Sequence, residues 1–473
     1  MASLSESLIL LGNSVRQIRP RVNSFDSALF AFSNADYDAT LHHLTRDESV
    51  RALLLRARVL IRLGQFGRSV DELQSLNVEE LRSCDGAEAM TLMSLAHVGL
   101  RTGDSITEHL ATARMLSLLS GSVVHEADVE FATALHYYTG GHAENASNAL
   151  YRLLDLGSAG SPWIKIEKKT VQSLEEIRAR AYDLLGHIAA REYRFLDQAS
   201  FIYLAFGELD KTVGCDPYVE SKLLGNLAVI AADRDVEGVY ECVRSRVATT
   251  KFPGACQVLE FEIRRNLGRC ASMHGNHIGA LRELRRSAEI APSRASKIKA
   301  LLDRSSLALE LNEFVFANEE LDFALDLTRQ VDWSTASSTE IVALLAMSQN
   351  LANRNPVEAR RFFNRFGEYK KRLDPFHDNA IDLGFAGRES QADALISRAE
   401  GNVDRAVRLN RDAFNSFKRV EYIGRAAIVA LELFEITGER SYIEYAAAYS
   451  RNLPQSHLAR RVNGHLNASM HTA

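Results

Sequence analysis

Proline is scarce, with eight in 473 residues. A chain this poor in the residue that breaks helices favours long, uninterrupted ones. Cysteine is sparse as well. The five, Cys84, Cys215, Cys242, Cys256 and Cys270, are odd in number, widely spaced and never form a C-x-x-C pair. That speaks against a disulfide framework or a zinc ribbon and for a reduced, cytoplasmic protein. No run of eighteen apolar residues occurs, so no membrane-spanning helix is expected. The opening segment MASLSESLILLGNSVRQIRP has no basic residue ahead of its short apolar stretch and no small-residue cleavage site, so no signal peptide is expected. Positive charge is not in excess either: the net charge is −5 and the pI about 6.3. Direct nucleic-acid binding, which needs a strongly basic face, is therefore not expected.

The motifs of common chemistry are missing too. There is no G-x-x-x-x-G-K-[ST] loop, no dinucleotide fingerprint, no nucleophile elbow, no H-E-x-x-H and no kinase signature. The 14 histidines are scattered. His274 and His277 in MHGNH lack an indicated third ligand and read as solvated turn residues, and His42 and His43, being adjacent, point to different sides of a helix. No metal, no cofactor and no catalytic residue is expected, and the chain reads as a non-enzyme. The basic stretches at 282–299 and 360–373 interleave with apolar residues at helical spacing and read as solvated helix faces.

What is present is helix-forming composition with periodic punctuation. Hydrophobic residues make up 46% and charged residues 25% of the chain, as in a globular protein. In LGRCASMHGNHIGALRELRRSAEIAP (267–292), Leu267, Gly268 and Ala271 share one face of a first helix. Gly275 suits the positive φ of the turn. Ile278, Leu281, Leu284, Ala288 and Ile290 are expected on the inner face of a second helix, which Pro292 ends. Gly268 and Ala280 stand where the two backbones would cross closely.

The same grammar recurs. Ala57 and Gly64 precede Phe66 and Ser69, and Ala96 precedes Gly103. Ala134, Gly141 and Ala146 follow, then Gly186 and Ala199, then Ser305, Asn312 and Ala317, and finally Ala394, Gly401 and Ala406. A half-repeat at ALFAFSNADYDATLHHL holds Tyr37 and Ala39. Turn markers near 64, 103, 141, 192, 234, 275, 312, 354, 401 and 438 are mostly 37 to 42 residues apart.

This grammar resembles the tetratricopeptide repeat, which has small residues at its eighth and twentieth positions and a proline near its end, on a period of about 34 residues. The longer spacing is similar to the degenerate hairpin repeats in sensor domains of large bacterial transcription regulators. The resemblance implies an all-α, right-handed solenoid of about ten helix-turn-helix repeats. Residues 1–46 would form N-terminal capping helices and a half-repeat. Residues 47–473 would form the superhelix, bent near 157–170, 213–220 and 372–390.

It also implies a function. In this family the first helix of each pair lines a concave surface, and its second, fifth, ninth, twelfth and thirteenth positions meet ligand. Those positions correspond here to Arg58 and Arg62, His97 and Arg101, Asp183, His187 and Arg191, and Arg265 and Arg269. Residues four apart share a helix face. Guanidinium pairs suit carboxylates, so the groove would hold a protein or peptide partner, acidic in character. Two readings stay open for these arginines, a ligand groove or ion pairs with neighbouring repeats. The lysine–asparagine order of the chaperone-binding carboxylate clamp is not reproduced. The expected role is a binding scaffold or adaptor. The alternative is a detached sensor module that binds a small molecule or signalling peptide and controls a transcription or signalling partner.

Overall fold

Where two helices cross at a small side chain their backbones approach closely, and the turn between them must reverse the chain within a few residues. The computed structural model describes residues 24–102, 105–156, 173–192, 194–212, 216–234, 238–336, 338–370, 379–453 and 456–471, and these form 23 α-helices and no strand. The chain divides into two compact units. The first comprises 1–178, 211–217 and 253–255, and the second 179–210, 218–252 and 256–473.

In the first unit, α1 (Ser24–Ser33) and α2 (Tyr37–Leu44) form a short hairpin. It is followed by α3 (Val50–Arg62) with α4 (Phe66–Gln74), α5 (Ser83–Leu100) with α6 (Ile106–Ser120), and α7 (Val123–Thr139) with α8 (Ala143–Asp155). First helices pack on first helices, α3 on α5 and α5 on α7, while α4 packs on α5 and α6 on α7. Helix α9 (Leu174–Arg191) begins in this unit and continues in the second.

The second unit continues with α10 (Phe195–Leu209), α11 (Pro217–Arg234) and α12 (Val239–Thr249). Four hairpins follow: α13 (Gln257–Met273) with α14 (His277–Ile290), α15 (Arg294–Glu310) with α16 (Phe314–Thr328), α17 (Ser338–Leu351) with α18 (Pro356–Lys370), and α19 (Asn379–Ala399) with α20 (Val403–Arg419). The chain closes with α21 (Ile423–Thr437), α22 (Arg440–Ser450) and α23 (His457–His471). The order of packing is again sequential, α13 on α15, α15 on α17, α17 on α19, with each hairpin closed on itself. The fold of the described residues is an all-α array of helix-turn-helix hairpins stacked in chain order.

The turns explain the regularity. Gly275 adopts φ +75° between α13 and α14, and Asn312 does the same work at +62° between α15 and α16, since a short polar side chain tolerates the left-handed region best after glycine. Side-chain caps then start the next helix. Asn276 accepts from Gly279 N at the head of α14, and Asn402 accepts from Arg405 N at the head of α20.

Close approach explains the small residues. A Cβ on Gly268 would lie 2.7 Å from Leu284 Cγ and 3.2 Å from the Ala280 carbonyl oxygen. Ala57, Ala96, Ala134, Ala146, Ala280, Ala317 and Ala406 are fully buried. On Gly186, a Cβ would meet the Gln198 carbonyl oxygen at 3.4 Å. Serine serves in two hairpins: Ser69 Oγ donates to the Ala57 carbonyl at 3.1 Å, and Ser305 Oγ to the Ala317 carbonyl at 2.8 Å. Around these crossings sit the cores, Leu54, Leu73 and Leu92 in the first unit and Trp333, Ile341, Leu344 and Phe366 in the second.

Some details differ from the sequence reading. Ile278 is 83% exposed. The buried face of α14 runs through Ala280, Leu284, Ser287 and Ala288, two residues and hence about 200° away from Ile278. His274 is not solvated but stacks on Tyr240, ring centroids 4.8 Å apart. Residues 379–390 continue as helix within α19. Gly103, residues 157–170, 213–215 and 372–378 lie outside the described residues, as do residues 1–23 of the expected capping segment.

One contact reaches far along the chain. Phe195, the first residue of α10, is buried in one apolar cluster with Phe417, Val420 and Tyr422 at the junction of α20 and α21. Both ends of that contact belong to the second unit.

Candidate functional site

The first helices carry the charged side chains singled out by the sequence, and the two units treat them differently. In the first unit, α3 places Arg58 and Arg62 one turn apart. Arg58 is buried, with Nη2 at 2.8 Å from Glu88 Oε1 on α5 and 3.5 Å from Asp128 Oδ2 on α7. Burial opposes its charge, but Glu88 and Asp128 outweigh that and hold its pKa above the ordinary arginine value. Arg62 Nη2 lies 3.3 Å from Glu176 Oε1 on α9 and 3.4 Å from Asp216 Oδ2. The Tyr37 hydroxyl donates to Asp216 Oδ2 at 3.2 Å. First helices of non-adjacent hairpins therefore converge on the two guanidinium groups. His97 stacks on His109 with centroids 5.4 Å apart and shares a 2.7 Å hydrogen bond with Thr102 Oγ1. Burial, then His97, pushes the His109 imidazole below its usual pKa. Arg101 is exposed and caps α5 with φ +60°.

In the second unit the polar residues link neighbouring first helices. Asp183 on α9 accepts from Asn226 Nδ2 on α11 at 2.6 Å and lies 3.6 Å from Lys222 Nζ and 3.8 Å from His187 Nε2. His187 Nε2 also meets Asn226 at 3.3 Å. Arg191 ends α9, half-buried. On α13, Arg265 pairs with Glu262 at 3.2 Å and with Asp303 on α15 at 2.6 Å, while Lys299 on α15 pairs with Glu262 at 2.5 Å. Burial works to raise the Glu262 pKa, but Arg265 and Lys299 hold it below the usual value. Burial, then Arg265, lowers that of Lys299. Arg269 Nη1 donates to Asn266 Oδ1 at 3.0 Å.

The residues that sequence reasoning overlooked are the counter-charges: Glu88, Asp128, Glu176 and Asp216 in the first unit, and Glu262, Lys299 and Asp303 in the second. Glu88, Asp128, Glu176, Glu262 and Lys299 each lie within the first six residues of a first helix, a signal the sequence carried, whereas Asp216 precedes α11 and Asp303 lies midway along α15. A further overlooked residue is Glu432 on α21. Its Oε1 accepts from Gln391 at 3.4 Å, and desolvation outweighs Arg461 to push its carboxyl up to about 7. Beside it, Glu435 holds Arg461 at 2.5 Å and His465 at 3.3 Å.

Among the described residues no group of three or more His, Cys, Asp or Glu side chains is placed to hold a metal ion, and no helix is long and apolar enough to cross a membrane. Cys270 is fully buried and donates toward the Ala231 carbonyl at 3.2 Å.

No protein-family model and no curated protein matches the chain. Among solved structures, the chain is similar to a Rap protein complexed with competence and sporulation factor. There the TM-score is 0.39 and the identity 10%, over 84% of this chain and 99% of that one. It is also similar to the APC/C hetero-tetramer Cut9-Hcn1, with a TM-score of 0.31 and 14% identity over 96% of this chain and 92% of that one.

Proposed function

We propose that the chain is a non-catalytic, cytoplasmic scaffold that holds a protein or peptide segment, acidic in character, on the first-helix face of its hairpins. The observation that carries this reading is the ladder in the second unit. Arg265, Glu262, Lys299 and Asp303 alternate in sign across α13 and α15, and the two carboxylates keep side-chain exposures of 22% and 32%. Such a ladder is nearly neutral inside itself. An incoming carboxylate would bind by exchange, taking one guanidinium partner while an internal acid turns to water, so recognition would depend on bidentate geometry more than on net attraction. Arg269, one turn on from Arg265 and donating to the Asn266 amide oxygen, would offer the second guanidinium of such a bidentate site.

The second reading is a sensor that binds a small molecule or signalling peptide and acts on a transcription or signalling partner. The enclosed Arg58 and Arg62 cluster of the first unit favours it, since a small anion that displaced Glu88 or Glu176 there would loosen contacts between hairpins.

The test is affinity capture from the native host with mass spectrometry, comparing the natural chain with the Arg265→Ala/Arg269→Ala variant and following Tm in parallel. Loss of the captured protein with Tm held within a few degrees is expected. Unchanged capture removes the first-helix face from the account, and joint loss of capture and stability assigns the two arginines a packing role.

A further inference from the structure

We infer that the outward face of α14 is a binding site for a phosphate monoester. This goes beyond the first-helix reading and rests on other residues. The basic stretch 282–299 holds six cations, and the fold gives them different surroundings. Lys299 pairs with Glu262 in the ladder of α13 and α15. Arg294 donates from Nη1 to the Gln330 carbonyl at 3.3 Å, and Lys297 lies over the Phe323 ring at 5.2 Å. The other three, Arg282, Arg285 and Arg286, stand together on α14 with side-chain exposures of 71%, 74% and 50%. With Arg264, Glu283 and Glu289 they line an open cleft of about 570 Å³.

What these three arginines leave unused defines the site. Arg264, on α13, donates from Nε to Glu260 at 2.7 Å and from Nη1 to Glu283 at 2.9 Å, so it holds both buried acids from beneath. Arg282 reaches Glu283 through Nε at 3.1 Å, and Arg285 reaches Glu289 through Nε at 3.1 Å. Arg286 forms no hydrogen bond, its nearest acids being Glu289 at 3.8 Å and Glu260 at 3.9 Å. The Nη groups of all three are therefore without an acceptor among the described residues. The second basic stretch, 360–373, differs. There Arg360 is held by Asp393 and Glu400, Arg361 by Glu358 and Lys370 by Glu389, and of the described cations Arg365 alone forms no ion pair.

Charge and shape define the ligand. Arg264, Arg282, Arg285 and Arg286 against Glu260, Glu283 and Glu289 leave one positive charge in excess, on a chain of net charge −5. On the next second helix, α16, Glu320 is held by Arg304, Asp322 by Arg354 and Asp326 by Arg329, which leaves Glu319 as its one unpaired acid among the described residues. Arg282 stands three and four residues from Arg285 and Arg286, spacings at which like charges repel across a helix face, and a bound dianion relieves that repulsion. A guanidinium engaged through Nε presents its two Nη groups as a fork. A carboxylate, with one charge and two oxygens, is filled by one fork. A phosphate monoester has three acceptor oxygens and nearly two charges at neutral pH, so it meets several forks at once. A phosphodiester, with one charge per group, fits less well.

The experiment uses the full chain with two probes: inorganic phosphate, followed by phosphorus NMR line broadening, and a fluorescent hexapeptide carrying one phosphoserine, followed by anisotropy. Both are expected to bind and to compete, while the peptide with glutamate in place of phosphoserine does not. Similar affinity for the two probes assigns the site to small phosphate esters, and much tighter binding of the peptide assigns it to a phosphorylated protein. The Arg282→Gln/Arg285→Gln/Arg286→Gln variant is expected to weaken binding about tenfold or more with Tm within a few degrees of the natural chain. Glu289→Gln, which removes an acid from the cleft, is expected to strengthen it about two- to threefold. The Arg265→Ala/Arg269→Ala variant should bind phosphate as the natural chain does, which separates this site from the first-helix face. No binding of either probe, equal binding of the glutamate peptide, or undiminished binding to the triple glutamine variant overturns the proposal. So does tighter binding of a single-stranded oligonucleotide at matched salt, lost in the same variant, because the face would then serve phosphodiesters.

Discussion

The two units carry similar arginine pairs on their first helices and differ in where the counter-charges lie. In the first unit the acids pairing with Arg58 and Arg62 have side-chain exposures of 3% to 15%, and besides Glu88 they come from far along the chain, Asp128 at a separation of 70 residues, Glu176 at 114 and Asp216 farther still. In the second, Glu262 and Asp303 reach solvent and belong to the same helix or the next first helix. An arginine that binds a partner and one that holds a fold look alike in a sequence. What separates them is whether the surrounding curvature brings distant acids in and shuts water out.

That contrast can be broken by substitution. Arg58→Ala leaves Glu88 and Asp128 without their shared cation in a buried place, and is expected to cost about 3–5 kcal/mol in chemical denaturation. Arg265→Ala removes a partner from acids that water can solvate, and the expected loss is on the order of 1 kcal/mol. Equal losses would erase the distinction between the units.

Glu432 sharpens the comparison through pH. Its folded pKa of about 7 stands above the ordinary value of 4.5, so the folded chain binds the extra proton between those limits. Its contribution is fully present below about pH 4.5 and is lost as pH rises towards 7, by roughly 3 kcal/mol. Glu432→Gln is therefore expected to raise Tm at pH 8 and to leave it unchanged near pH 4. A Tm difference independent of pH would refute that assignment.

Packing gives the smaller effect. Ala280→Leu forces a larger side chain against α13 beside Gly268 and is expected to cost about 1–3 kcal/mol, read from the urea midpoint at unchanged m-value. The same change at Ala317, also fully buried, should cost a similar amount if the hairpins are equivalent.

The repeat positions were readable because each is set by local geometry. Gly275, Asn312 and Gly401 end one helix and let the next begin, and Ala280 or Ser305 marks the crossing within two turns of them. A short window holds all of that information. Ile278 misled because its spacing fits an apolar stripe beginning at either 278 or 280, and only the packed neighbour decides between them. The charge partners were out of reach for a different reason. Tyr37 and Asp216 are 179 residues apart, and nothing in either segment names the other. Their meeting depends on small rotations summed over several hairpins.

The burial of Phe195 by the α20–α21 junction has a consequence for how the second unit comes apart. An array coupled only between nearest neighbours frays from its ends and melts over a broad range. Here removing the last hairpins would strip the cover from a residue some two hundred positions upstream, so loosening at the carboxyl end propagates at once to α10. The unit is a clasped coil and should lose its protection against hydrogen exchange as one cooperative block.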